Sequence, residues 1–152
     1  MPRVGIVMGS SSDDPVAQEA VQVLEQLGID YEVRVLSAHR APGRLAQYIE
    51  EAPSRGVELF IALAGGAAAL PGAIAAWTTL PVLGVPVASS ELKGIDALMA
   101  IAQMPPGVPV GCMAVGNWGA RNAAYMAASI LGLKDDDIKN AYGEYRRRQR
   151  EG

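Results

Sequence analysis

Leu59-Phe60-Ile61-Ala62-Leu63 is an unbroken apolar run, and Pro81-Val82-Leu83-Gly84-Val85 is a second one. Neither has the polar alternation of a strand with one wet face. A strand apolar on both sides is covered on both sides, as in a parallel sheet with helices above and below. The stretch between them, roughly Leu70 to Trp77, reads as a helix of small residues, so the three pieces form a strand-helix-strand crossover.

Working outward, the alternation recurs. Arg3 to Met8 reads as a strand, and Val16, Ala20, Leu24 and Leu27 then fall at helical spacing, with Asp14 as cap, Pro15 in the first turn and Gly28 as the stop. Tyr31 to Leu36 is a second strand. A helix from about Pro42 to Arg55 follows, with Leu45, Ile49 and Ala52 on its apolar stripe and Pro53 at its fraying end. Further on, Gly94 to Gln103 reads as a helix, Val108 to Met113 as a fifth strand and Asn122 to Leu131 as an alanine-rich helix. A polar helix over about 135–150, with Ile138, Ala141, Tyr142 and Tyr145 as its stripe, closes the chain. It can pack on its own domain or on a neighbour. The pattern predicts one domain over residues 1–152: a three-layer, doubly wound α/β fold with a mostly parallel five-stranded sheet and a C-terminal helix.

Composition narrows the function. The formal charge is −3 and the one dense basic run, Arg146-Arg147-Arg148-Gln149-Arg150, reads as a solvated helix end, so no nucleic-acid partner is expected. The chain has one cysteine and one histidine, which makes a Cys/His metal site an unpromising reading; no metal is expected. A strand begins within the first few residues, with no charged-then-apolar leader, and the apolar stretch from Leu59 to Leu92 is interrupted by Gly, Pro, Ser and Thr. We therefore expect a cytoplasmic protein with no membrane partner. Cys112 reads as an inert buried thiol. Met99, Met104, Met113 and Met126 read as core filler; Trp77 and Trp118, next to glycine- or alanine-rich helices, can pack at an interface, although core packing is the simpler account.

Three loops follow three successive strands, and in this fold class ligands bind at the carboxyl ends of strands. Gly9-Ser10-Ser11-Ser12-Asp13 opens the first helix: the glycine allows the turn, and free N–H groups and hydroxyls make either a phosphate cradle or a plain polar cap. It has neither the lysine of a P-loop nor the glycine spacing of a dinucleotide fold. Ser37-Ala38-His39-Arg40 pairs an imidazole for proton transfer with a guanidinium for a phosphate or carboxylate. His39 bonded to a backbone carbonyl, as a purely structural residue, is the competing account. Ala64-Gly65-Gly66-Ala67-Ala68-Ala69-Leu70-Pro71-Gly72 exposes backbone N–H groups between apolar walls, or else serves only as a crowded helix start.

These loops, together with Pro81-Val82-Leu83-Gly84-Val85-Pro86-Val87 and Gln103-Met104-Pro105-Pro106-Gly107-Val108-Pro109-Val110, resemble the ordered motifs of the PurE family. The likeness is greatest to its class I members and runs from about residue 3 to residue 132. It implies a flavodoxin-like fold and a cofactor-free, metal-free isomerase of purine (IMP) biosynthesis. Such an enzyme converts N5-carboxyaminoimidazole ribonucleotide to 4-carboxy-5-aminoimidazole ribonucleotide, with CO2 as an intermediate. The resemblance implies His39 as the proton shuttle. Ser10, Ser12, Asp13, Ser37, Arg40, Gly65, Gly66, Ala69 and Leu70 would bind the ribonucleotide, with Ser10 and Asp13 on its phosphoribosyl part and Arg40 on its phosphate. It also implies a homo-octamer.

One position departs from the pattern. Class I proteins usually carry a histidine where this chain has Ala69. The alternatives are a class II-like protein that carboxylates aminoimidazole ribonucleotide directly, and a nucleotide-binding protein whose turnover has been lost. Asp14 also replaces an aromatic residue common after the first loop.

Overall fold

The computed structural model describes residues 1–152. Its strands are β1 (Val4–Met8), β2 (Tyr31–Val35), β3 (Leu59–Gly65), β4 (Val82–Val87) and β5 (Gly111–Cys112). Its helices are α1 (Asp14–Gln26), α2 (Pro42–Glu51), α3 (Leu70–Ala75), α4 (Ile95–Ala102), α5 (Asn117–Leu131) and α6 (Asp136–Glu151). All strand pairs are parallel and the order across the sheet is β2-β1-β3-β4-β5. The chain reverses its direction of winding between β1 and β3, which opens a crevice at their C-terminal ends.

The apolar runs divide by strict alternation. Leu59, Ile61 and Leu63 of β3 face a core shared with α1 and α5, while Phe60, Ala62 and Ala64 face a second core under α2, α3 and α4. β3 therefore has period 2 in space although none is visible in its composition. The helices over the first core approach on small residues: α5 buries Gly119, Ala120, Ala123, Ala124, Ala127 and Ala128. Helix α6 packs on its own domain. Ile138 is buried, and Tyr142 and Tyr145 stack on Tyr125 with ring centroids 5.8 and 4.7 Å apart.

Several expectations need correction. The Ser10 side chain caps a 3-10 turn over Ser11–Asp13, so α1 starts at Asp14 and Asp14 is not its cap. The second helix ends at Glu51 and continues to Arg55 only as a 3-10 turn, because Pro53 offers no N–H to the ladder. The fifth strand shrinks from Val108–Met113 to Gly111–Cys112: Pro109 cannot donate, and Val108 N–H is spent on Pro105 in a turn. Helix α5 begins at Asn117, not Asn122. Gly116 (φ 74) makes the entry, and a Cβ on Gly119 would lie 1.7 Å from the Ala114 carbonyl oxygen.

Several large apolar residues also differ from expectation. Trp118 is 78% exposed, Trp77 55%, Met99 59% and Met126 44%, while Met104 and Met113 are half-buried. The inward faces of α4 and α5 are filled by Ala97 and Ile101 and by the alanines, which leaves Met99, Trp118 and Met126 outside, while Trp77 lies just past the end of α3. No helix is long and apolar enough to cross a membrane.

Candidate active site

The loops after β1, β2 and β3 converge at the crevice on a pocket of about 230 Å³. Ser10, Ser12 and Asp13 line it from the first loop, Ser37, His39 and Arg40 from the second, and Gly65, Ala69 and Leu70 from the third. Gly66 is not among the lining residues; with φ +60 it makes the turn that carries the loop into α3.

The first loop is held by its own hydroxyls. Ser12 N–H donates to Ser10 Oγ at 3.3 Å, the two serine Oγ atoms are 2.9 Å apart, and Asp13 N–H donates to Ser10 O at 3.1 Å. Gly9 does not have a positive φ, and a Cβ there would meet nothing within 4 Å. The turn therefore makes no use of glycine's conformational freedom, and the missing side chain leaves the pocket clear. Asp13 is 6% exposed and its carboxylate has no hydrogen-bond partner in the chain. Burial pushes its pKa up.

The second loop is a turn closed by Ser37, whose Oγ accepts from Arg40 N–H at 3.1 Å and whose carbonyl accepts from Ala41 N–H at 3.0 Å. Ser37 is thereby committed to the turn. His39 and Arg40 are both exposed, and neither side chain makes a hydrogen bond or ion pair within the chain. A histidine retained for structure alone would be tied to a carbonyl; this one is free to meet a ligand.

In the third loop Ala68 N–H donates to Gly65 O at 3.0 Å, and Ala68 itself is buried at φ +47, a left-handed conformation that costs a Cβ-bearing residue about 1–2 kcal/mol. The N–H groups of Gly66, Ala67 and Ala69 donate to no backbone carbonyl. Strained, under-bonded backbone at a pocket wall is suited to receiving an anionic or carboxyl group.

Ser89, on the segment after β4, also lines the pocket and was missed by the sequence reading. Nothing in Ala88-Ser89-Ser90 marks it locally; the signal lay in its position just past the end of a strand. No group of three or more His, Cys, Asp or Glu side chains is placed to hold a metal ion. Cys112 is half-buried and burial raises its thiol pKa, which leaves it unreactive.

Fold and pocket together define a doubly wound α/β protein whose imidazole, guanidinium, hydroxyls and carboxylate are gathered at one topological switch point. The chain belongs to the AIR carboxylase family, whose model matches residues 3–152. It is 53% identical over 150 residues to the N5-carboxyaminoimidazole ribonucleotide mutase of Thermotoga maritima, covering 99% of this chain and 86% of that protein. It is 55% identical over 148 residues to the mutase of Pseudomonas aeruginosa, covering 97% and 91%. The crystal structure of Treponema denticola PurE superposes with a TM-score of 0.90 at 28% identity, covering 99% of this chain and 93% of that one.

Proposed function

We propose that this protein is an N5-carboxyaminoimidazole ribonucleotide mutase. The observation that carries the reading is that its only histidine shares a pocket with Arg40, Ser10 and Asp13 in a chain more than half identical, nearly end to end, to curated mutases. Arg40 and the Ser10–Ser12 hydroxyls offer donors to the phosphate, and the Asp13 carboxylate, which opens onto the pocket, accepts from ribose hydroxyls. In the reaction the N–C bond of the substrate carbamate breaks to give CO2, and its electron pair stays on the nitrogen, which takes up a proton. Ring carbon C4 then attacks CO2, and the C4 proton leaves to restore the aromatic ring. His39, exposed on the pocket and unbonded, is the group that moves that proton. The Ala64–Leu70 wall supplies an apolar surface beside which CO2 is retained.

A pocket of about 230 Å³ in one copy is smaller than the ~300–1,000 Å³ that usually encloses a ligand of this size. The outward Trp77, Trp118, Leu92, Ile95 and Met99 supply apolar surface for neighbours. Both features favour an assembly in which adjoining copies complete the enclosure, and we read it as the homo-octamer that the family resemblance implies. Purine assembly from a small, labile ribonucleotide is cytoplasmic work, and we read the protein as cytoplasmic.

A second reading has its own support. The matching family model is that of AIR carboxylase, and Ala69 stands where the resemblance to class I members implies a histidine. Incubation with fresh N5-carboxyaminoimidazole ribonucleotide without bicarbonate separates the two. C4-carboxylated product above the spontaneous background establishes the mutase. Product only from aminoimidazole ribonucleotide and bicarbonate establishes the carboxylase, and product from neither leaves a binding protein.

A further inference from the structure

Strands β3 and β4 end in register, with Gly65 paired to Val87. The chain then turns so that Ser89 lies over Gly65: an ideal Cβ on residue 65 would sit 1.9 Å from Ser89 Oγ, 2.8 Å from Ser89 Cβ and 3.0 Å from the Val87 carbonyl oxygen. The serine side chain thus fills the space that a side chain at position 65 would need. It does so at the root of the loop whose next residues include Gly66 at φ +60 and Ala68 at φ +47. Ser89 Oγ has no hydrogen-bond partner in the chain, so the hydroxyl is not spent on capping or on a turn; the neighbouring Ser90, by contrast, is committed to Asp96 and to Leu92 N–H.

We infer that Ser89 is a positioning residue for the reaction, acting through Gly65 to hold the Ala64–Leu70 wall in its strained shape. The inference rests on the mutase reading. The phosphate and ribose groups are met by loops after β1 and β2, on the far side of the sheet's switch point from β4. Loosening the wall therefore changes the chemical step and the retention of CO2 more than it changes substrate affinity. A displacement of about an ångström at a reacting centre is enough to cost a large part of the rate.

The test uses the parent protein and four variants, one of them double. For Ser89→Ala we expect kcat to fall about tenfold with KM changed less than about twofold. The fraction of substrate released as aminoimidazole ribonucleotide, relative to C4-carboxylated product, is expected to rise. Ser89→Thr keeps the Oγ and is expected to return both readouts toward the parent. The contact is read separately by stability: Gly65→Ala lowers the melting temperature, and adding Ser89→Gly recovers part of that loss. If the parent converts substrate and Ser89→Ala does so with unchanged kcat and partition, the inference is overturned alone. No recovery in the double variant overturns it too, because the contact is then absent. A parent that makes no product overturns the mutase reading and the inference together.

Discussion

Tyr48 reaches over Gly5 to place its hydroxyl 2.9 Å from Glu32 Oε1, tying α2 to the edge strand β2 across β1. Gly5 pairs with Glu32 on one side and with Phe60 on the other, and the tyrosine passes through the gap its missing side chain leaves. A Cβ at position 5 would lie 2.7 Å from Tyr48 Oη and 2.9 Å from Phe60 Cδ1. Both neighbours are buried, so neither can move aside cheaply. Gly5→Ala is expected to destabilise the fold by about 2 kcal/mol, through overpacking, in urea denaturation. Tyr48→Phe added to it should relieve only part of that loss, because Phe60 remains.

The Glu32 side chain is 11% exposed and accepts from Arg55 at 2.7 and 3.3 Å as well as from Tyr48. Burial pushes its pKa up, but the hydrogen bonds from Arg55 and Tyr48 and the charges of Arg55 and Arg34 outweigh this and hold it below its ordinary value. A lowered carboxylate pKa contributes stability above the unfolded pKa, which is lost as pH falls through the folded one. Glu32→Gln should therefore cost about 2 kcal/mol near neutral pH. The gap to the parent should narrow in acid as Glu32 itself becomes protonated, which denaturant titrations across the carboxylate range will show.

Asp13 has the opposite sign. With its pKa raised by burial and no partner, its charge opposes folding, and the parent loses stability as pH rises from the unfolded carboxylate pKa through the folded one. Asp13→Asn should raise the melting temperature of the free protein at neutral pH. The same change should weaken binding of aminoimidazole ribonucleotide by about tenfold in calorimetry, since one of the two charged acceptor oxygens facing the sugar hydroxyls becomes an amide donor. Loss of both stability and affinity would mean that Asp13 is structural.

His39 is exposed and unbonded, so His39→Asn should leave the melting temperature within about 1–2 °C of the parent, as for a surface substitution. Conversion of the carboxyamino substrate should fall by at least about a hundredfold. Full activity in this variant would remove the histidine from the mechanism.

Ala69 lines the pocket half-buried just ahead of α3, at the position where the resemblance to class I members implies a histidine. Ala69→His should raise the mutase rate by about tenfold or more if a second imidazole completes proton transfer. An unchanged rate would mean that His39 suffices.

Strong local signals made much of the fold legible. Runs such as Leu59 to Leu63 and the glycine or proline punctuation at Gly28 and Pro42 reveal element type without tertiary context, because burial on both faces and turn geometry each restrict composition. The three loops were legible for the same reason, since each follows a strand. What was not legible involves residues distant in sequence. The early start of α5 at Asn117 and the outward Trp118 follow from how closely alanine faces and glycine backbones approach one another. No window of neighbouring residues contains that distance.

By itself the sequence determined a strand-helix alternation, an apolar parallel sheet and the chemical identity of the groups at the strand tips, because backbone propensity and side-chain chemistry are properties of the local chain. The tertiary structure alone decided the order β2-β1-β3-β4-β5, the buried and partnerless state of Asp13, the free state of His39, and the placement of Ser89 against Gly65. These depend on which surfaces close over which others, and that is settled only when both cores pack at once.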